Sequence, residues 1–319
     1  MIDQILAPLD GSALAECVLP HMISIAAVTN AKVTLIQVLS NPDGGIDRLL
    51  VDPVKWQMQK QESQAYLEKI VKKLQDAGLE ATYAILEGNP AESIINYAHK
   101  NNMDLIALST HGHTGLSNWN VSSVVEKVLS RSFRSILLIP AYSFDPASEI
   151  KYKRLFVCSD SSARADYILP TAIALAQFHK SQLVFGTVVQ KPQIVQRLPL
   201  SQEGVTLINQ LNDMNLAAVH HYYDEILTQL SLKGLDVKIN VENSDHIRST
   251  LHGMVQDTKP DLILMAAHGS SGERNWPYGS VTKNLIDHGR TPLLVLQDLT
   301  ENEIDVPHAE KAFRKTKGH

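Results

Sequence analysis

Two histidine–glycine pairs stand within the two most similar stretches of this chain. Residues 104–124 read DLIALSTHGHTGLSNWNVSSV and residues 261–281 read DLILMAAHGSSGERNWPYGSV, and the two align without a gap. Small residues follow each pair, and a serine opens the helix predicted after it. Closely approaching backbone N–H groups, a helix N-terminus and a serine hydroxyl together favour an anion such as phosphate. The repeated segments therefore predict a phosphate-binding loop in each half.

A second matched pair, Asp10 and Asp160, closes the first predicted strand of each half. Residues 4–12 (QILAPLDGS) align with 154–162 (RLFVCSDSS), and residues 32–39 (KVTLIQVL) align with 182–189 (QLVFGTVV). A carboxylate in this position can accept hydrogen bonds from a sugar or base, or hold a cation. The alternative is an N-cap or Asx-turn at the following helix, and the two roles are compatible.

The elements that must position these residues are short apolar runs alternating with longer amphipathic segments. Helices are predicted over 13–29, 54–77 and 122–132, and another begins at Asn89, with Pro90 in its first turn and Glu92 as the reciprocal cap. The buried runs argue for parallel strands covered on both faces. The predicted strands are 2–8, 33–39, 81–87, 105–109 and 136–140 in the first half, and 155–158, 183–189, 237–241, 262–266 and 293–296 in the second.

The repeat also sets the domain organisation. The offset between the halves is 150 residues at the first strand and 157 at the histidine–glycine pair, so the second copy carries about seven extra residues in its middle helix or the loop before it. We expect a first domain at 1–140, a linker at 141–151, a second domain at 152–297 and a charged tail at 298–319. Ligands of such sheets bind outside the carboxyl ends of the strands, where the loops after strands one and four should meet.

These segments resemble the phosphate loop of the universal stress protein family, whose nucleotide-binding members carry Gly-x2-Gly-x9-Gly-Ser/Thr. The resemblance covers about residues 1–140 and 152–297. It implies tandem doubly wound α/β domains, each a five-stranded parallel sheet in the order 3-2-1-4-5, and pairing of the domains through their last strands. It further implies that the first-strand aspartate and a second-strand valine lie against the adenosine of ATP or AMP, with Mg²⁺ as an accompanying ion.

The three glycine places of the motif are filled differently in the two halves. Ser109, Gly112 and Ser122 fill them in the first half, and Ala266, Gly269 and Gly279 in the second. Because Ser122 could crowd phosphates or need a glycine-like backbone angle, we expect the second half to be the better nucleotide site. Its predicted site residues are Ser159, Asp160, Val188, Ala266, His268, Gly269, Ser270, Gly279, Ser280 and Val281. Those of the first half are Pro8, Asp10, Val38, Ser109, His111, Gly112, Ser122 and Ser123.

Catalytic and metal chemistry have weaker support in the sequence. His111 and His268 could act as bases or phosphate donors, but a structural hydrogen bond within the loop is the simpler interpretation. His220, His221 and His252 have no companions at metal-ligand spacing. Trp119 and Trp276 could pack over the loop or stack on a base. We therefore expect a nucleotide-binding regulatory protein with at most slow ATPase activity, and the alternative is a nucleotide-free scaffold with degenerate loops.

Composition narrows the classes of protein to which this chain could belong. Net charge is −5, from 29 basic and 34 acidic residues, which argues against general nucleic-acid binding. Two cysteines provide no disulfide framework and favour a reducing, cytoplasmic location. The N-terminus does not resemble a signal peptide, and no apolar run is long enough to span a bilayer. We also expect a homodimer of chains, each containing an internal pseudo-dimer.

Overall fold

The computed structural model describes residues 2–40, 53–112, 121–141, 150–192, 201–270 and 276–299. The chain divides into two compact units. The first comprises the described residues of Met1–Ile150, Glu273–Tyr278 and Ile286–His319, and the second those of Lys151–Gly272 and Gly279–Leu285. Most of the predicted linker, Trp119 and residues 300–319 of the predicted tail lie outside the described residues. Among the helices of the described ranges, none has the length and apolar character needed to cross a membrane.

The first unit alternates strands and helices as the sequence predicts. Its elements are β1 (Gln4–Pro8), α1 (Ala13–Glu16), α2 (Val18–Thr29), β2 (Lys32–Leu39), α3 (Pro53–Asp76), β3 (Ala81–Glu87), α4 (Pro90–Lys100), β4 (Leu105–Ser109), α5 (Ser123–Arg131) and β5 (Ser135–Ile139). The strands lie in the order β3-β2-β1-β4-β5 and are all parallel, which confirms the predicted order 3-2-1-4-5. Every residue of β4 and β5 is buried, as expected for strands covered on both faces.

The second unit repeats this plan over four strands. Its elements are β6 (Arg154–Cys158), a 3₁₀ turn (Ala165–Ile168), α6 (Leu169–His179), β7 (Gln182–Val189), α7 (Gln202–Leu232), β8 (Asp236–Asn243), α8 (Ile247–Thr258), β9 (Leu262–Ala266) and α9, whose bounds are Ser280–His288. The strands are parallel in the order β8-β7-β6-β9, equivalent to β3-β2-β1-β4. The extra residues of the second repeat are accommodated in part by α7, which has 31 residues against 24 in α3.

Strand β10 (Leu293–Leu296), the last strand of the second repeat in sequence, belongs to the first compact unit. It pairs antiparallel with β5, with Leu293 opposite Leu138 and Leu294 opposite Leu137. This is the strand pairing that the family resemblance implies. It covers the edge of β5 that would otherwise expose unpaired backbone groups.

A repeated aspartate explains why the sequence match begins at Asp104 and Asp261. One carboxylate oxygen of Asp104 accepts hydrogen bonds from the Asp3 and Gln4 amides, each at 2.9 Å. Asp261 accepts the equivalent bonds from Lys153 at 2.6 Å and from Arg154 at 2.8 Å. These bonds tie the start of each central strand to its neighbour, at the end of the sheet away from the candidate site.

Two local predictions need correction. The predicted helix 13–29 is broken at Cys17, because Pro20 has no N–H to donate to the Glu16 carbonyl one turn earlier. Asn89 caps α4 as predicted and accepts a hydrogen bond from the Glu92 amide at 3.3 Å. The Glu92 carboxylate, however, pairs with Arg131 of α5, so its predicted role as reciprocal cap is wrong.

Candidate functional site

Asp10 and Asp160 each form an Asx-turn at the end of the first strand of their unit. Asp10 Oδ1 accepts hydrogen bonds from the Ser12 amide at 3.0 Å and from the Ser12 hydroxyl at 2.6 Å. Asp160 Oδ1 accepts the equivalent amide bond from Ser162 at 3.1 Å. The N-cap of α1 is Ser12, whose hydroxyl accepts a bond from Ala15. Of the two structural roles predicted for these aspartates, the Asx-turn is present in both units. The N-cap of α1 is a serine and not the aspartate.

The second carboxylate oxygen of each aspartate faces the histidine–glycine loop. Asp160 Oδ2 accepts a 2.7 Å hydrogen bond from the Ser270 amide. A Cβ added to Gly269 would overlap Asp160 Oδ2 and lie 3.1 Å from its Cγ, and one added to Gly112 would do the same against Asp10. The loops after the first and fourth strands therefore meet in both units. The middle glycine of the motif is fixed by this close approach rather than by an unusual backbone angle.

Asp160 is held in its charged form by these contacts. Partial burial of its carboxylate, which keeps contact with solvent, would raise its pKa. Hydrogen bonds from the backbone and side chains of Ser162 and Ser270 outweigh that effect and lower the pKa below its ordinary value. The second unit thus presents a stable negative charge at the junction of its two loops.

The two histidines of the repeated pairs point into the protein. His111 and His268 are each 2% exposed. The His111 ring nitrogen Nδ1 lies 3.1 Å from the Thr110 hydroxyl, and its amide donates to the Ser109 hydroxyl at 3.4 Å. This geometry favours the structural interpretation of the histidine side chains over contact with a ligand.

Ser122 and Gly279, at the third glycine position of the motif, make the same backbone hydrogen bond in the two units. The Ser122 amide donates to the Thr110 carbonyl, and the Gly279 amide donates to the Ala267 carbonyl, both at 2.8 Å. Ser122 has φ −71° and ψ 158°, an extended conformation open to any residue, so the expectation of a glycine-like angle there is wrong. A Cβ on Gly279 would lie 3.4 Å from the Ala267 carbonyl oxygen, which is ordinary contact.

The helices after these positions differ in their caps. The Ser122 hydroxyl accepts a hydrogen bond from the Val125 amide at 3.4 Å and caps α5. Gly279 has no side chain with which to cap α9. Ser123 and Ser280, the first residues of these helices, are both exposed, and Val281 is half-buried. The start of α9 is consequently more open to an external acceptor than the start of α5.

The remaining predicted site residues lie around these loops or beneath them. Val38 and Val188 are both half-buried near the carboxyl ends of β2 and β7, and Pro8 is half-buried at the end of β1. Ser109 and Ala266 are buried at the ends of β4 and β9, and the Ser109 hydroxyl accepts a hydrogen bond from Cys17 at 3.3 Å. Trp276, which the sequence predicts to pack over the loop or stack on a base, is 63% exposed.

Comparison with known proteins gives a consistent result. The sequence model of the universal stress protein family matches residues 1–140 and again residues 151–297. The chain belongs to the universal stress protein family. Universal stress protein MJ0531 of Methanocaldococcus jannaschii is 31% identical over 137 residues, which cover 43% of this chain and 81% of the relative. Universal stress protein MJ0577 of the same organism is 26% identical over 154 residues, covering 44% and 95%.

Solved structures of full-length neighbours show the same fold for this universal stress protein. A universal stress protein from Archaeoglobus fulgidus superposes with a TM-score of 0.63 at 18% identity. The superposition covers 94% of this chain and 100% of the other. The functionally unknown protein PA1789 from Pseudomonas aeruginosa superposes with a TM-score of 0.66 at 15% identity, covering 98% of both chains. At these identities the similarity establishes the fold alone.

Sequence reasoning missed two features beside the candidate site. Ser161 takes the place of Gly11 and adopts a left-handed backbone with φ 58°, where Gly11 has φ 84°. Tyr222 of α7 contacts Asp166 near the same loop. A signal for the tyrosine was available, because Tyr66 and Tyr222 stand at the same distance before the glycines that end the two long helices, Gly78 and Gly234.

Proposed function

We propose that this universal stress protein binds an adenine nucleotide, ATP or AMP, in the second unit, and that binding biases an assembly or a partner interaction. The observation that carries the proposal is the junction of Asp160 with the Gly269–Ser270 turn. It brings a charged carboxylate and small residues together beside the start of α9. These are the groups that a ribose or base and a phosphate chain require.

Each part of the junction has a distinct role in the proposed complex. The first-turn amides of α9 and the Ser280 hydroxyl would donate hydrogen bonds to phosphate oxygens. Asp160 would accept a hydrogen bond from the ribose or base in place of one from the Ser162 or Ser270 hydroxyl, because a hydroxyl can rotate to another acceptor while both amide bonds stay in place. Half-buried Val188 would offer apolar surface to the adenine.

The caps support the ranking of the second unit above the first. In the first unit the Ser122 hydroxyl already engages the Val125 amide, one of the donors that a phosphate would use. Gly279 itself offers no side-chain acceptor to the equivalent donor of the second unit, and it adds no bulk. We therefore propose the second unit as the tighter site and the first unit, around Asp10 and Gly112, as a weaker one.

Hydrolysis of the bound nucleotide is expected to be slow at most. Both loop imidazoles, His111 and His268, are 2% exposed and are poorly placed to activate water. Mg²⁺ coordinates ATP through its phosphates, so we expect ATP to bind as its Mg²⁺ complex. The nucleotide is accordingly proposed as a regulatory ligand rather than a substrate.

Calorimetric titration tests the proposal. ATP and AMP are titrated into the wild-type chain, Gly279→Trp and the matched first-unit variant Ser122→Trp. A Cβ fits at Gly279, so the indole should extend into the phosphate region without disturbing the turn. We expect Gly279→Trp to abolish the tighter binding event while Ser122→Trp retains it.

The reverse pattern would move the functional site to the first unit. Unchanged binding in both folded variants would place it outside these loops. Absence of binding by the wild type, after ultraviolet absorbance has excluded co-purified nucleotide, would reject the proposal. Circular dichroism of each variant confirms folding before any titration is interpreted.

A nucleotide-free scaffold is the second candidate function, and the first unit favours it. Ser109 is buried and engaged by Cys17, and Ser122 is committed to capping α5. Both serines stand where the nucleotide-binding motif has glycine. In this proposal the chain acts through assembly, including a homodimer of chains. Light scattering with and without ATP separates the candidates, because a scaffold's mass would be independent of the nucleotide.

A further inference from the structure

We propose that Tyr222 and Tyr223 of α7 act as positioning residues that hold the loop between Ser159 and Asp166 in one conformation and so pre-form the second-unit site. We call these two residues the tyrosine clamp. The inference rests on the proposed function, because the loop contains Asp160. It differs from that function in assigning a role to a helix that carries none of the predicted site residues.

Tyr223 reaches one end of the loop through a chain of hydroxyl groups. The Thr187 hydroxyl donates to the Ser159 carbonyl at 2.7 Å and also contacts the Tyr223 hydroxyl. A threonine hydroxyl has a single hydrogen, so Tyr223 must donate to Thr187. Tyr223 is 1% exposed, and Thr187 is 2% exposed. A buried, fully connected chain of this kind fixes the carbonyl immediately before Asp160.

Tyr222 holds the other end of the loop. Its hydroxyl donates to Asp166 at the 3₁₀ turn that follows the loop. Its ring packs edge-to-face on Tyr223, with ring centroids 4.9 Å apart. The two neighbouring tyrosines of α7 therefore restrain the loop at both ends, at Ser159 and at Asp166. Asp160 lies between these two residues.

The first unit lacks half of this arrangement. In the aligned repeats Leu67 replaces Tyr223, and Gln37 replaces Thr187, although Tyr66 beside Glu16 still matches Tyr222 beside Asp166. The buried Gln37 Oε1 atom accepts no hydrogen bond from the described part of the chain. The strand end of the first loop is thus not held as its counterpart is. This difference gives a second physical reason for tighter binding in the second unit, since a pre-formed loop loses less entropy on binding.

The left-handed backbone conformation of Ser161 explains why this loop needs the tyrosine clamp. A serine at φ 58° adopts a conformation that glycine takes far more readily, and the loop would relax from it without restraint. The Ser161 amide donates to the Ser159 hydroxyl at 3.0 Å, so the restraint on Ser159 reaches Ser161 directly. The clamp thereby stabilises a backbone that the first unit achieves with Gly11.

Removal of single hydroxyl groups tests the clamp in the full-length chain. The variants are Tyr223→Phe and Thr187→Val, each nearly isosteric, with Tyr83→Phe as the matched control, because Tyr83 donates to Glu68 on the first-unit surface. Hydrogen exchange of the Ser162 and Ser270 amides is measured without nucleotide, and ATP affinity is measured by calorimetry. We expect exchange to accelerate and ATP affinity to fall about five- to tenfold in Tyr223→Phe and in Thr187→Val, and neither quantity to change in the control.

A double-mutant cycle separates positioning from general destabilisation. If the clamp acts through Asp160, then Tyr223→Phe should cost ATP affinity in the wild type and almost none in an Asp160→Asn background. Additive losses would overturn the proposal, as would unchanged amide exchange in Tyr223→Phe. The exchange experiment does not need nucleotide. Faster exchange in a chain that binds no ATP would support the clamp while rejecting the proposed function.

Discussion

The Ser270 amide donates a 2.7 Å hydrogen bond to the Asp160 carboxylate and so joins the loop after β6 to the loop after β9. The joining is possible because Gly269, the residue before Ser270, leaves room for the carboxylate. The same steric relationship holds between Asp10 and Gly112. The two units therefore share one geometric requirement, and it can be tested at equivalent positions.

Gly269→Ala should disturb the junction directly. The new methyl group would overlap Asp160 Oδ2, and forced displacement of this kind typically costs about 1–3 kcal/mol. We expect lower unfolding free energy in urea and loss of the tighter ATP binding event. For the unfolding free energy Gly279→Ala is the matched control, because its methyl group would make only ordinary contacts. Equal losses of unfolding free energy from the two substitutions would contradict this account.

The lowered pKa of Asp160 predicts that the free energy of unfolding depends on pH. Its pKa is lowered in the folded protein, so the unfolded chain binds its proton more readily. The stability it contributes is present above its unfolded pKa, about 4, and is lost as pH falls through the lower folded value. Urea unfolding from pH 6 to pH 2 should show the wild type's advantage over Asp160→Asn disappearing in acid. An advantage that persisted at the lowest pH would contradict the prediction.

The burial of His21 in α2 predicts that the free energy of unfolding also depends on pH in a second, higher range. Burial lowers its pKa from 6.5 to about 4, so the folded protein keeps the imidazole neutral while the unfolded chain takes up a proton. Stability from this source is full above about pH 6.5 and declines as pH falls toward about 4. We expect His21→Leu to flatten the pH dependence of unfolding in this window. An unchanged pH dependence in the folded His21→Leu variant would contradict the prediction.

The pairing of β10 with β5 should contribute strongly to the first unit. Leu294 is 0% exposed and lies opposite Leu137, so Leu294→Ala removes buried methyl groups and leaves a cavity. We expect a loss of about 2–5 kcal/mol of unfolding free energy, measured by urea denaturation. Leu232→Ala makes the same chemical change at a side chain that is 84% exposed, and it should cost far less. A small effect at Leu294 would show that β10 adds little to this unit.

The helix caps allow a comparison between the repeats. Asn89→Ala removes the side-chain bond to the Glu92 amide and should cost about 0.5–2 kcal/mol of stability. His246, at the start of α8, makes no side-chain cap bond, so His246→Ala should have little effect on unfolding. Similar losses from both substitutions would show that something other than the cap is being measured.

The sequence by itself determined the features that depend on local chemistry and on repetition. The two copies follow from the aligned residues around His111 and His268, and the strands follow from their apolar runs. Asn89 and Pro90 mark the start of α4 because cap chemistry acts within one helical turn. The strand order and the last-strand pairing came from the family resemblance, since apolar periodicity does not distinguish one order of buried strands from another.

The tertiary structure alone decided which distant groups touch. The hydrogen bond from Ser270 to Asp160 joins residues 110 positions apart, and no local pattern encodes it or the neighbouring contact with Gly269. The break at Cys17 reflects one missing N–H at Pro20, a small local effect that the continuous apolar pattern concealed. In the sequence the repeat matches Tyr222 to Tyr66, but it matches Tyr223 to Leu67, so the tyrosine clamp is not marked as a pair. It becomes visible only when folding places Tyr223 against Thr187, because a hydrogen bond depends on atomic position and not on residue type alone.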